Sequence, residues 1–171
     1  MIITLVGYMG SGKSTTGKDL AKTLGYEFID LDQFIEKKYG LTISEIFNQY
    51  GELGFRKRER EALHEVLDLK TNTILSVGGG TPVYYDNLEV INQHSTSIYI
   101  NVLLPHLVKR LEYKKQTRPL IANIPNEELT EFIAKHLFER NPFYFKAHHT
   151  IKVTTQSSFE VLNEIMEVLK K

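Results

Sequence analysis

Short runs of β-branched residues and leucine alternate along this chain with longer stretches in which apolar residues recur every three or four positions. IITLV (2–6) is apolar at nearly every position, as a strand covered on both faces would be. EFID (27–30), TILSV (73–77), TSIYINV (96–102) and HTIKV (149–153) are four further strand-like runs. Residues 13–24 predict a helix with Leu20, Ala21 and Leu24 on one face, stopped by Gly25. Helical spacing also covers 34–39, ended by Gly40, and 44–50, with Ser44 as a cap. It returns over 55–69, 105–113, 127–145 and 159–169, with a kink or break at Pro142. KKQTRPLIANIPN (114–126) is polar, holds two prolines and reads as a loop.

Strands that alternate with helices imply βαβ units. Right-handed crossovers then place helices on both faces of a five-stranded parallel sheet, a three-layer α/β fold. At 171 residues the chain makes one domain, with no repeat or long linker. Ligands of such sheets sit beyond the carboxyl ends of the strands, and each unusual segment here directly follows a strand.

Composition narrows the function classes. Lys plus Arg and Asp plus Glu are 21 each, so net charge gives no case for nucleic acid or a membrane surface. No cysteine is present, which removes disulfide and thiolate chemistry and fits a reducing compartment. No apolar run nears the roughly 20 residues that span a bilayer. MIITLVGYMG lacks the basic start of a secretion signal. The expectation is a cytoplasmic monomer.

GYMGSGKSTTG (7–17) carries the first chemistry. Gly7, Gly12, Lys13 and Ser14 fit G-x-x-x-x-G-K-[ST], with a strand before and a helix after. Glycines let successive amides, among them those of Gly10, Ser11, Gly12 and Thr15, curl around phosphate oxygens. The helix adds the positive end of its dipole. Lys13 can reach the β- and γ-phosphates and Ser14 can ligate Mg²⁺. The plain alternative is a glycine-rich turn, a pattern expected by chance in roughly one chain in two hundred of this length. The motif does not by itself separate kinases from GTPases or nucleotide-dependent switches.

Four further segments suggest an acceptor. Asp30 and Asp32 leave the second strand; such carboxylates can hold Mg²⁺ through water and face a hydroxyl, or one of them can simply cap the helix near Phe34. In GELGFRKRERE (51–61), Lys57, Arg58 and Arg60 read as a solvated helix face. Arg56, at a helix start behind glycines, can offer its fork to a carboxylate. Gly78, Gly79 and Gly80 form either a tight turn or a place where a ligand approaches backbone. Arg118 lies in the polar loop, where a lid arginine could meet a transferring phosphate. Arg140 opens RNPFYFKA as a second carboxylate clamp, with Tyr144 and its neighbouring phenylalanines as core aromatics.

Together these motifs resemble the shikimate kinase family, within the P-loop kinases related to nucleoside monophosphate kinases. The likeness rests on GYMGSGKSTTG, DLD with a following IE, GELGFR with Glu59, GGG, RPL and R-x-P-x-Y, in that order along essentially the whole chain. It implies a P-loop kinase fold with a mobile lid near 112–125 and an acceptor-binding helical region near 32–61. It also implies ATP-dependent phosphorylation of the 3-hydroxyl of shikimate, in aromatic amino-acid synthesis. By family position Asp32 binds the acceptor hydroxyls and takes the transferred proton. Arg56 and Arg140 hold the carboxylate, Glu59 orients Arg56, and Gly79 contacts the ring hydroxyls. Ser14 and, through water, Asp30 belong to a single Mg²⁺. Lys13 and Arg118 meet the phosphates, while Arg110 and the loop at Gln156 flank adenine. Another small-molecule kinase, such as a gluconate kinase, and a non-enzymatic nucleotide switch are the alternatives.

Overall fold

The computed structural model describes residues 1–170. Five strands, β1 (Ile2–Val6), β2 (Glu27–Asp30), β3 (Thr73–Ser76), β4 (Thr96–Val102) and β5 (His149–Val153), form one sheet in the order β2-β3-β1-β4-β5. Every neighbouring pair is parallel, with Leu5 opposite Ser76 on one side of β1 and Ile98 on the other. The central strand β1 is buried at all five positions because helices cover both faces of the sheet, which explains its unbroken apolar run. Its one hydroxyl, Thr4 Oγ1, is satisfied by Ser95 Oγ at 2.7 Å.

Six helices fill the connections, α1 (Lys13–Leu24), α2 (Leu31–Tyr39), α3 (Ile43–Leu67), α4 (Asn87–His94), α5 (Leu104–Tyr113) and α6 (Asn126–Tyr144), and α7 (Ser158–Leu169) follows the last strand. Gly25 and Gly40 close α1 and α2 in the left-handed conformation, as their positions in the sequence suggest.

Several boundaries differ from the sequence expectation. Asp30 caps α2, so the helix starts at Leu31 and not near Phe34. The helices expected over 44–50 and 55–69 are both present, as the two parts of α3, and the cap of the first is Thr42, not Ser44. Thr42 and Glu45 form a reciprocal capping box. The second part begins directly after Gly51 and not at Phe55, so Arg56 lies just inside it. A kink at Gly51 (φ 70°, ψ −177°) separates the two parts of α3, in a region open only to glycine. Pro142 stays within α6, which continues to Tyr144. Phe145 is exposed and Phe143 half-buried, so of that aromatic cluster Tyr144 alone belongs to the core. Helix α4 was not anticipated: Asn87–His94 is only two turns long and its sequence is half polar.

The strand order reverses between β1 and β3. The P-loop leaves the end of β1 and the glycine triplet leaves the end of β3, so both open on the same crevice.

Candidate active site

The loop after β1 is shaped by glycine. Gly10 and Gly12 adopt φ of 77° and 87°, and Gly12 caps α1 without a side chain to spend on it. The first-turn amides of α1 therefore carry no side-chain cap and face the crevice, where an anion can take them. Lys13 Nζ folds onto the loop itself, 2.8 Å from the Gly7 carbonyl and 3.0 Å from that of Tyr8. Burial lowers its pKa to about 8, with Asp32 and Asp30 opposing the shift. A cation held this deep by two carbonyls and, at 3.4 Å, the Ser11 hydroxyl is poised for a stronger anionic partner.

Ser14 Oγ donates to Asp30 Oδ2 at 2.9 Å, while Asp30 Oδ1 accepts from the backbone N–H groups of Asp32 and Gln33. The helix cap and the metal-type carboxylate, alternatives in the sequence, are thus two oxygens of one residue. Among the described residues no cluster of three or more metal-ligating acids and histidines assembles. A hydroxyl beside a carboxylate is the partial oxygen shell that Mg²⁺ completes with water and phosphate. The residues present fit a nucleotide-borne Mg²⁺. Asp32, one residue into α2, is lifted to about 6, chiefly by burial and then by the charges of Asp30 and Glu59.

The acceptor end is built around the glycine triplet. A Cβ at Gly80 would lie 2.6 Å from Arg56 Nη2, and one at Gly79 would lie 2.9 Å from Arg140 Nη1. One at Gly78 would sit 3.6 Å from both Asp32 Oδ1 and Glu59 Oε2. None of the three has positive φ. At Gly79 and Gly80 the glycine identity therefore answers to space, not to backbone twist, because a guanidinium packs where each side chain would be, whereas a Cβ at Gly78 would meet the two carboxylates only at ordinary contact. The arginines do not splay into solvent.

Arg56 is held from several sides. Its Nη1 donates to Glu59 Oε1 at 2.8 Å, and Glu59, 1% exposed, accepts at its other oxygen from Thr81 Oγ1. Its guanidinium lies 4.0 Å over the Tyr84 ring. Its Nε is buried with no partner, and so is that of Arg118. Orphaned charged donors of this kind are costly unless a ligand answers them. Arg140 lies 5.7 Å over the ring of Tyr8, whose hydroxyl bonds His136 Nδ1 at 2.8 Å. Burial, assisted by Arg140, lowers the His136 pKa to about 4 and keeps the imidazole neutral.

A cleft of about 920 Å³ joins these parts. Gly10, Ser11, Gly12, Lys13, Ser14, Thr15, Asp30, Asp32, Gly78, Gly79, Arg110, Arg118 and Gln156 all line it. Arg56, Arg140 and Gly80 do not line it; the two guanidinium groups pack against Gly80 and Gly79 beside it. Arg110 leans on the Gly10 and Ser11 carbonyls at 3.5 and 3.4 Å, a loose tether. Gln156 is occupied with its own loop, accepting from Thr154 N at 2.7 Å and donating to Lys152 O at 2.9 Å. Lys57 is exposed and Arg60 pairs with Asp86, but Arg58 stacks 3.5 Å over Tyr50, so it is not simply solvated.

Tyr8, Thr81, Tyr84 and Asn87 support the site without being singled out by sequence. Asn87 Nδ2 donates to the Thr81 carbonyl at 2.9 Å, which extends the chain Asn87–Thr81–Glu59–Arg56. Their sequence signal is faint: a polar residue in a short helix and aromatics in loops.

An uncapped P-loop helix, a buried lysine, a hydroxyl–carboxylate pair and a cationic acceptor pocket at the switch point define a P-loop phosphotransferase. Residues 9–170 match the family described as Shikimate kinase. The shikimate kinase of Parabacteroides distasonis is 46% identical over 171 residues, covering 98% of each chain. The crystal structure of shikimate kinase from Bacteroides thetaiotaomicron superposes with TM-score 0.92 at 38% identity, over 100% of this chain and 99% of that one. Shikimate kinase from Acinetobacter baumannii, solved in complex with shikimate, gives 0.87 at 34% identity, over 99% and 92%. The chain belongs to the shikimate kinase family and is a kinase.

Proposed function

We propose that this protein transfers the terminal phosphoryl group of ATP to the 3-hydroxyl of shikimate, giving shikimate 3-phosphate and ADP in aromatic amino-acid synthesis. The observation that carries this reading is the convergence of Arg56, Arg140 and Asp32 on one glycine triplet beside the P-loop. Shikimate presents one carboxylate and three hydroxyls. Two guanidinium groups suit the carboxylate, and Asp32 with the backbone of Gly78 to Gly80 suits the hydroxyls. Each charge-assisted hydrogen bond contributes about 1.5–3 kcal/mol, which disfavours uncharged polyols.

Transfer is direct and in line, with no covalent enzyme intermediate. The amides of Gly10 to Thr15 and the Lys13 ammonium hold the phosphates. Ser14 and Asp30 would hold Mg²⁺, which would supply charge neutralisation at the phosphate oxygens. Lys13 leaves its carbonyl partners for the charge that develops on the transferring group. Asp32 orients the attacking hydroxyl and receives its proton, for which a pKa of about 6 is better matched to neutral pH than an ordinary aspartate. Arg118, with its unpartnered Nε, closes over the phosphates as part of the 112–125 lid. Arg110 and the loop at Gln156 flank the adenine. The enzyme works as a cytoplasmic monomer with no nucleic-acid or membrane partner. Among the described residues no helix is long and apolar enough to cross a membrane.

The test is product identification after mixing the protein with Mg·ATP and, separately, shikimate, gluconate and nucleoside monophosphates. Shikimate 3-phosphate and ADP in equal amounts are expected in the first mixture only. Turnover on another acceptor, or nucleotide binding without transfer, overturns the assignment.

A further inference from the structure

The Tyr144 hydroxyl is placed where a core aromatic has no need of one. The ring is completely buried and packs at a tilt of 40° against Tyr99, with centroids 5.0 Å apart, while the Tyr99 hydroxyl donates to Asn141 at 2.8 Å. A phenylalanine would fill the same volume. Yet the phenol does not point into the core. It donates to the Gly79 carbonyl at 2.5 Å. Arg140, one helical turn earlier, sets its charge against the burial that keeps the phenol protonated, and its guanidinium packs against the same Gly79. A hydroxyl has one proton to give and lone pairs to receive with, so it can serve both neighbours.

Three successive glycines leave the local chain free to rotate. If the Gly79–Gly80 peptide flipped, an acceptor would stand where a donor is needed. In a trans peptide the Gly79 carbonyl and the Gly80 N–H point to opposite sides. A phenol whose single proton is directed at the carbonyl therefore fixes the Gly80 N–H on the side away from Tyr144. Gly79 is also the meeting point of the site. A Cβ there would lie 2.9 Å from Arg140 Nη1 and 3.5 Å from both Gly7 O and Met9 N of the P-loop.

We infer that Tyr144 is a positioning residue of the acceptor site: its hydroxyl holds the Gly79 peptide and the Arg140 guanidinium in one fixed relation, so that shikimate meets both together. This rests on the functional reading above. Tyr144→Phe in the full chain keeps the ring and removes the link. The KM for shikimate rises about tenfold, while kcat changes less than threefold and the KM for ATP stays within twofold. Calorimetric titration with shikimate shows the same weakening, and circular dichroism verifies the fold. In an Arg140→Ala background the same change raises the shikimate KM less than threefold, because the partner through which Tyr144 acts is gone. An unmoved shikimate KM in Tyr144→Phe, an equal rise for ATP, or a full tenfold rise without Arg140 each overturns the inference. Wild-type protein that does not turn over shikimate overturns the functional reading with it. Normal wild-type turnover beside any of those three results overturns this inference alone.

Discussion

Asp32 and Lys13 both pay for their roles in stability, each by being buried with an imperfectly compensated charge. Burial, aided by Asp30 and Glu59, lifts Asp32 from 3.8 to about 6. Between about pH 4 and 6 the native state then binds more protons than the unfolded chain, so this group's contribution falls as pH rises through that window. Above it, the ionised carboxylate costs roughly 3 kcal/mol. Asp32→Asn is therefore expected to raise Tm by several degrees at pH 7, with the gain shrinking toward pH 4, while kcat falls about 100-fold or more. A lower Tm at pH 7 in calorimetric scans would contradict the burial cost. Lys13 is shifted the other way, from 10.5 to about 8. The profile of kcat/KM for ATP should thus show a plateau bounded near pH 6 by loss of the Asp32 carboxylate and near pH 8 by loss of the Lys13 charge. Lys13→Ala should lower kcat about 100- to 1000-fold and leave shikimate affinity within a few-fold, as equilibrium binding would reveal.

At the scale of elements, α3 carries the Arg56–Glu59 pair and its shape depends on one residue. Gly51 lies at φ 70° and ψ −177°, where a Cβ has open space but the backbone conformation is strained. Gly51→Ala is expected to cost about 1–3 kcal/mol, or to redirect the second half of α3 and with it Arg56. Chemical denaturation and the shikimate KM would register the two outcomes. Neither changing would mean that the kink is not held by glycine. The helix caps were partly legible: Gly25 and Gly40 end helices because a left-handed residue is needed there whatever the tertiary context. The break at Gly51 was legible, since the glycines of GELGFR read as a break between helices, whereas the start of the second helix before Phe55 was not. Helix α4 escaped because Asn87, its first residue, is buried for the sake of the Thr81 carbonyl, a contact no local pattern announces.

Over the whole molecule, the nucleotide and acceptor ends share one crevice at the reversal of strand order, with the 112–125 segment along its rim. Lys114 and Arg118 of that segment line the cleft already. Its amides should exchange with deuterium more slowly when shikimate and a non-hydrolysable ATP analogue are both bound than with either alone. Equal exchange in all three samples would remove lid closure from the mechanism. Size-exclusion chromatography with light scattering should give a mass near 19.7 kDa, that of one chain.

By itself the sequence determined the layered parallel sheet and the phosphate loop, and it offered Asp32, Arg56 and Arg140 as candidates for an anionic acceptor. These follow from local rules: hydrophobic period, turn residues and a motif whose chemistry is contained in eight consecutive positions, Gly7 to Ser14. Which arginines pack against the triplet, and how closely they crowd Gly79 and Gly80, only the tertiary structure decided. Gly80 and Arg56 are 24 residues apart, Gly79 and Arg140 are 61 apart, and each glycine exists to admit a guanidinium brought from another element. Asp30 makes the same point on a smaller scale. Its cap is written in the neighbouring residues, whereas its pairing with Ser14 needed β1 and β2 to be laid in one sheet with β3 between them.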